Sequence, residues 1–275
     1  MKKFIKWTLI LFGGLIGLII LASLALYPAG MKKLAQTYPN IQVETITIPT
    51  RSDAIANGEH IAHVWECAKC HGDDLSGKLI TNDPILGTIP SSNLTSGRGG
   101  IASTYTDADW IRAIRHGVKP DGRGEVIMYN YSTMSDQDLG DLIAYLKQIP
   151  PVDSNHPVMN LGPILPIAPA VGFLTPAAGL IDHGAPRPVD PAPGSTIEYG
   201  KYLSVLCTEC HSNQLTGIAG KVKNWTQADF IRTFQTSVLP DGKQFNPAMK
   251  NFNEMNDTEL TALWLYLQTL RAKPQ

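Results

Sequence analysis

Basic charge is not in excess in this chain: 23 Lys and Arg stand against 24 Asp and Glu, for a formal net charge of −1. That balance gives no electrostatic basis for binding nucleic acid, whose phosphates call for a basic face. Setting aside Lys2, Lys3 and Lys6 leaves about −4 for the remainder, a weak hint of acidic docking surfaces. Cysteine is scarce too. There are four in 275 residues, all within two short strings, and such close pairs staple almost nothing as disulfides. No alternation of strand-like and helix-like runs surrounds them, which argues against a thioredoxin-type redox motif. Apolar content of 43% and charged content of 17% are ordinary for a folded protein with a membrane segment. The length allows one to three domains.

What is present is more specific. Cys67-Ala68-Lys69-Cys70-His71 and Cys207-Thr208-Glu209-Cys210-His211 use every cysteine. C-x-x-C-H is the attachment signature of c-type haem. Two thiols three residues apart can form thioethers to the two vinyl groups, and the next residue then presents an imidazole to the iron. A shared tetrahedral zinc site is the main rival. About 136 residues separate the pairs, however, and a His follows each at once. The reading is two covalently attached haem c groups.

One long hydrophobic run opens the chain. Lys2, Lys3 and Lys6 precede an uncharged stretch from about Trp7 to Tyr27, near the ~20 residues a helix needs to span a bilayer. It exceeds the core of an ordinary signal peptide. Clustered lysines stay in the cytoplasm, so the expectation is a single-pass anchor in the cytoplasmic membrane with everything later on the periplasmic side. A cleavable signal, with Ser23-Leu24-Ala25 as its loose cleavage site, is the competing reading. Both export the chain.

The chain also contains itself twice. Thr106-Asp107-Ala108-Asp109-Trp110-Ile111-Arg112 recurs as Thr226-Gln227-Ala228-Asp229-Phe230-Ile231-Arg232. Pro120-Asp121-Gly122-Arg123 recurs as Pro240-Asp241-Gly242-Lys243, and Met134-Ser135-Asp136-Gln137-Asp138-Leu139 as Met255-Asn256-Asp257-Thr258-Glu259-Leu260. The first copy holds about 20 extra residues between His71 and Thr106. Each copy reads as helical. Leu139, Leu142, Ile143 and Leu146 form one apolar stripe, as do Leu260, Leu263, Trp264 and Leu267. Ser135 with Asp138, and Asn256 with Glu259, have capping-box spacing. Earlier helices are expected from about Ser52 to Trp65 and Thr196 to Leu206, and middle helices from Thr106 and Thr226.

Between the copies, Pro150 to about Thr196 carries eleven prolines, which exclude a long helix or central strand. Its middle, Val158 to Ile181, is uncharged. Pro163, Pro166, Pro169 and Pro176 argue against a second span, so an ordered strap packed across both domains is expected. The predicted organisation is all-α: an anchor over 1–28, a first haem domain over 50–150, a Pro-rich linker over 151–195 and a second haem domain over 196–275.

The second axial ligand separates carrier from catalyst. Met128 and Met134 in the first copy match Met249 and Met255 in the second. Met134 and Met255 stand directly before the helix caps, the staple position, a structural job. The metal ligands are therefore assigned as His71 with Met128 and His211 with Met249, with Met134 and Met255 as alternatives. Such ligation leaves no open coordination position, as an electron carrier needs and a peroxide enzyme does not. His60 and His63, on a helix leading into Cys67, are read as facing solvent or the domain surface. His116, His156 and His183 are read as lacking partners. Arg98 and the Trp110 indole N–H are candidates to meet a haem propionate.

These residues resemble two class I cytochrome c domains in tandem, and the whole resembles the membrane-anchored di-haem cytochromes c of bacteria. Those include cytochrome subunits that accept electrons from periplasmic dehydrogenases. The resemblance covers roughly Ser52 to the C-terminus and rests on the two C-x-x-C-H strings, the stretch from Asn93-Leu94-Thr95 to Pro120-Asp121-Gly122, and the Met-Ser-Asp-x-Asp-Leu helix start. It implies that the first and last helices of each domain cross at a glycine against an aromatic, Gly58 with Tyr145 and Gly200 with Tyr266. It also implies a proline carbonyl orienting the proximal His: Pro84 is the candidate in the first copy, while His211 must find another acceptor. The implied function is electron transfer without catalysis, between a dehydrogenase or quinol-oxidising complex and another cytochrome or a terminal oxidase. A di-haem peroxidase is the alternative.

Overall fold

A computed structural model describes residues 2–211, 215–246, 249 and 252–271, with backbone only for Lys2, Glu209 and Cys210. Helices dominate. In chain order they are α1 (Lys2–Leu34), α2 (Ser52–Val64), α3 (Cys67–His71), α4 (Asp107–His116), α5 (Asp136–Leu146), α6 (Ile167–Ala170), α7 (Ile197–Leu203), α8 (Val205–His211), α9 (Thr216–Lys221), α10 (Gln227–Thr236) and α11 (Asp257–Arg271). The chain divides into two compact units that do not follow the repeat. The first gathers Met1–Ile48, Ala68–Met134 and Leu146–Pro186; the second gathers Pro49–Cys67, Ser135–Tyr145 and Arg187–Gln275.

In the first unit, α1 is one apolar helix, long and apolar enough to cross a membrane. Helix α4 starts on the expected signal: Thr106 accepts from the Asp109 amide while the Asp109 side chain accepts from the Thr106 amide. A small sheet departs from the all-α expectation. Strands β1 (Leu79–Asp83), β2 (Gly87–Pro90) and β3 (Asn160–Leu161) pair antiparallel in that order. Its cause is local. Asp83 Oδ1 accepts from the Ile85 and Leu86 amides and Gly87 takes φ 104°, so the chain reverses between β-branched residues. The hairpin occupies the extra segment of the first copy. The Pro-rich segment up to Pro186 wraps this unit: Val152 O accepts from Asn93 Nδ2 at 2.8 Å, β3 extends the hairpin, and α6 packs on α1.

In the second unit α2, α5, α7 and α11 form two matching crossings. At Gly58 in α2 an added Cβ would lie 2.0 Å from Asp141 O and 2.9 Å from Tyr145 Cβ; at Gly200 in α7 it would lie 1.9 Å from Ala262 O. Asp141 and Ala262 are equivalent in the repeat, so α2 crosses α5 where α7 crosses α11. In each case only glycine permits the approach. Asn256 and Glu259 cap α11 reciprocally, at 2.8 and 3.0 Å. The core holds the predicted stripe, with Leu260 fully buried and Leu263 and Leu267 1% exposed.

Candidate haem sites

Helix α3 carries the first cysteine motif, and the division between the units falls within it, after Cys67. Cys67 and Cys70 are half-buried. His71 Nδ1 lies 2.8 Å from Ser92 O. A carbonyl only accepts, so Nδ1 carries the proton and Nε2 keeps its lone pair for a metal. Burial holds the His71 pKa below its ordinary value, against the pull of the Ser92 hydrogen bond, which keeps the imidazole neutral as ligation requires. The orienting carbonyl is thus Ser92's, not Pro84's. Pro84 lies in the hairpin turn between β1 and β2, and the chain returns past His71 only after Pro90.

The two methionines of the first copy stand in different surroundings. Met128 lies half-buried in a loop after the Pro-Asp-Gly turn. Met134 is fully buried, and its carbonyl accepts from Arg115 Nη2 at 2.9 Å. Trp110, on α4, is 2% exposed, and its buried indole nitrogen has no hydrogen-bond partner among the described residues. An orphaned buried donor is costly, and a haem propionate would satisfy it. Arg98, the other propionate candidate, instead pairs with Asp153 at 2.7 Å on the surface.

In the second unit Cys207 and His211, both on α8, line a cavity of about 440 Å³. Met249 lines the same cavity, with Trp225, Phe234 and Phe252 among its walls. Met255 does not; it is 2% exposed in the core, immediately before the α11 cap. An apolar cavity with one imidazole and one thioether in its lining has the donor types that a haem iron takes. The Cys210 side chain lies outside the described residues. Among the described residues no group of three or more Cys, His, Asp or Glu gathers into a metal cage.

Several polar residues gain roles that the sequence reading did not assign. His60 does not simply face solvent: its Nε2 meets Glu259 Oε1 at 2.8 Å, and that bond raises its pKa despite burial. His116 and His183 are partners, Nδ1 to Nδ1 at 3.1 Å, and His116 Nε2 meets Glu44 Oε2 at 3.1 Å. Arg115 binds the other Glu44 oxygen. Burial pushes the Glu44 carboxyl up, but the His116 and Arg115 hydrogen bonds outweigh it and hold its pKa at about 2. His156 meets Ser76 O at 3.2 Å. All these pairs join residues far apart in sequence, and no local pattern announces them.

Residues 55–150 match the cytochrome c family. The chain carries a cytochrome c domain. Such a domain binds haem c covalently, and the His71 geometry and the orphaned Trp110 donor suit that group. The chain is 25% identical over 83% of its length to a fructose dehydrogenase cytochrome subunit from Gluconobacter japonicus, covering 56% of that protein. It is 25% identical over 80% of its length to a gluconate 2-dehydrogenase cytochrome c subunit from Pantoea cypripedii, covering 60% of it. It is 24% identical over 82% of its length to a diheme cytochrome c-type protein from Cereibacter sphaeroides, covering 92% of it. The chain thus spans little more than half of the two dehydrogenase subunits.

Proposed function

We propose that this chain is a membrane-anchored di-haem c-type cytochrome that relays electrons. On this reading Cys67, Cys70, His71 and Met128 hold one haem, in a domain over 50–150. Cys207, Cys210, His211 and Met249 hold the other, in a domain over 196–275, with 151–195 as the strap between them. The observation that carries the reading is the cavity that His211, Cys207 and Met249 share. A bound haem supplies reversible one-electron chemistry at iron.

The protein's own residues do the rest. Ser92 fixes the His71 tautomer and turns Nε2 outward. Phe234, Phe252 and Trp225 give the second cavity apolar walls, which together with His/Met ligation favour a raised potential. The apolar helix α1 tethers the chain to the cytoplasmic membrane, with the haem domains on the periplasmic side. Electrons arrive from a dehydrogenase or quinol-oxidising complex and leave for another cytochrome or a terminal oxidase. Likeness to cytochrome subunits of sugar-acid and sugar dehydrogenases supports a dehydrogenase as donor.

The test is the oxidised, full-length, haem-loaded protein. A far-red methionine-to-iron absorption band and slow cyanide binding at both haems are expected. Absence of the band with rapid cyanide binding at both haems contradicts the carrier reading and favours a peroxidase-type catalyst.

A further inference from the structure

Helix α1 does not simply leave the membrane and end. Its Gly30 meets the Pro-rich segment so closely that an added Cβ would lie 1.5 Å from Pro166 O. One turn further on, Lys33 Nζ donates to Pro169 O at 2.9 Å. Leu26 and Ser23, on the Gly30 face of the helix, are half-buried, whereas Leu24 and Tyr27 are exposed. With a rise of about 1.5 Å per residue, the apolar run from Trp7 to Tyr27 spans roughly 31 Å, the thickness of a hydrocarbon core. Gly30 then sits about 4–5 Å beyond that core, at the depth of the lipid headgroups. Helix α6 is packed there.

The loop around α6 has the surface such a depth calls for. No charged residue occurs from Val158 to Ile181. Ile164 is 51% exposed, Val171 60% and Phe173 89%, although water-facing loops seldom display such a set together. The loop is also ordered. The Phe173 amide donates to Ala168 O at 2.9 Å and the Gly172 amide to Pro169 O at 3.2 Å, with Gly172 at φ 78°. Pro163, Pro166 and Pro169 stiffen the same stretch. Phe173 is held outward by its backbone.

We propose that the 162–174 loop is a second membrane contact, whose Ile164, Val171 and Phe173 side chains enter the outer interface of the bilayer beside α1. It extends the reading of α1 as an anchor and rests on it. A lone helix leaves a tethered domain free to swivel; a second contact beside it fixes the orientation of the first unit to the lipid surface.

The test uses the full haem-loaded chain in vesicles of phosphatidylethanolamine and phosphatidylglycerol. Thioether formation occupies the native thiols, so a nitroxide can be attached singly through Phe173→Cys, Leu18→Cys in the apolar run, or Ser103→Cys on an exposed loop of the same unit. Collision with oxygen is compared with collision with a water-soluble nickel chelate. The oxygen-to-nickel ratio at position 173 is expected several-fold above that at 103, toward the value at 18. A high ratio at 18 with a 173 ratio equal to that at 103 overturns the second contact and leaves the anchor standing. A low ratio at 18 overturns the anchor, and the proposal with it.

Discussion

The Tyr202 hydroxyl donates to Asp138 Oδ2 at 2.6 Å, and this bond is the repeat's image of the one between His60 and Glu259. Tyr202 and His60 each stand two residues after a crossing glycine. Asp138 and Glu259 each occupy the third position of the last helix of a copy. Within the second unit, the first helix of each copy therefore reaches the last helix of the other, the reciprocal arrangement of a twofold interface. Trp65 adds to the contact, its ring 6.1 Å from that of Tyr202.

Asp138 makes that contact sensitive to pH. Burial pushes its pKa up to about 6, against the Tyr202 hydrogen bond. The folded state thus binds the proton more tightly than the unfolded chain. Its contribution is fully present below the unfolded value near 3.8 and is lost as pH rises through about 6. Asp138→Asn keeps an acceptor for Tyr202 without the charge. Urea denaturation should find the variant more stable than the parent at pH 7 by about 1–2 kcal/mol, with the gap closing toward pH 4. A gap that does not change with pH would contradict the assignment.

His60 titrates in the same sense from the other image. Its pKa is raised, first by the hydrogen bond to Glu259, so its stabilisation is fully present below its ordinary value of 6.5 and fades as pH rises through the higher folded value. His60→Gln should cost about 1.5 kcal/mol at pH 6 and less at pH 9, read from denaturation curves at both pH values.

The crossing glycines tolerate no side chain. Gly58→Ala and Gly200→Ala each drive a methyl into a helix backbone at about 2 Å. Each should cost about 3 kcal/mol in thermal or urea unfolding, at the upper end of overpacking penalties. A loss below 1 kcal/mol would mean that the helices separate easily.

Met249 and Met255 should fail differently. Met249→Ala should remove the far-red band of one haem and open that haem to cyanide while leaving the other unchanged. Met255→Ala should keep both bands and lose about 2–5 kcal/mol of stability, the cost of emptying a buried site. The reverse pattern would exchange the two assignments.

Local signals are legible in the sequence. The boxes at Thr106 and Asn256 and the apolar stripes of α5 and α11 act through neighbours three or four residues away, which the sequence displays directly. At Ser135 only one arm forms, from the Asp138 amide, because the Tyr202 hydroxyl takes both the Ser135 amide and the Asp138 carboxylate. The β hairpin is not legible because its turn, Asp83 to Gly87, lies in the segment without a counterpart in the second copy. Ser92 carries no signal because any residue offers a carbonyl, and only the path of the chain decides which one reaches His71. The pairs Glu44 with His116 and His60 with Glu259 carry none for the same reason: each side chain looks unpartnered until the fold brings in a residue 72 or 199 positions away.

The most direct test is to count haem in the full-length chain after expression with haem-attachment machinery, by reduced pyridine haemochrome against protein mass. The account predicts two covalent haems per chain, and one in a variant with Cys207→Ala, Cys210→Ala and His211→Ala together. One haem or none in the parent protein would contradict it.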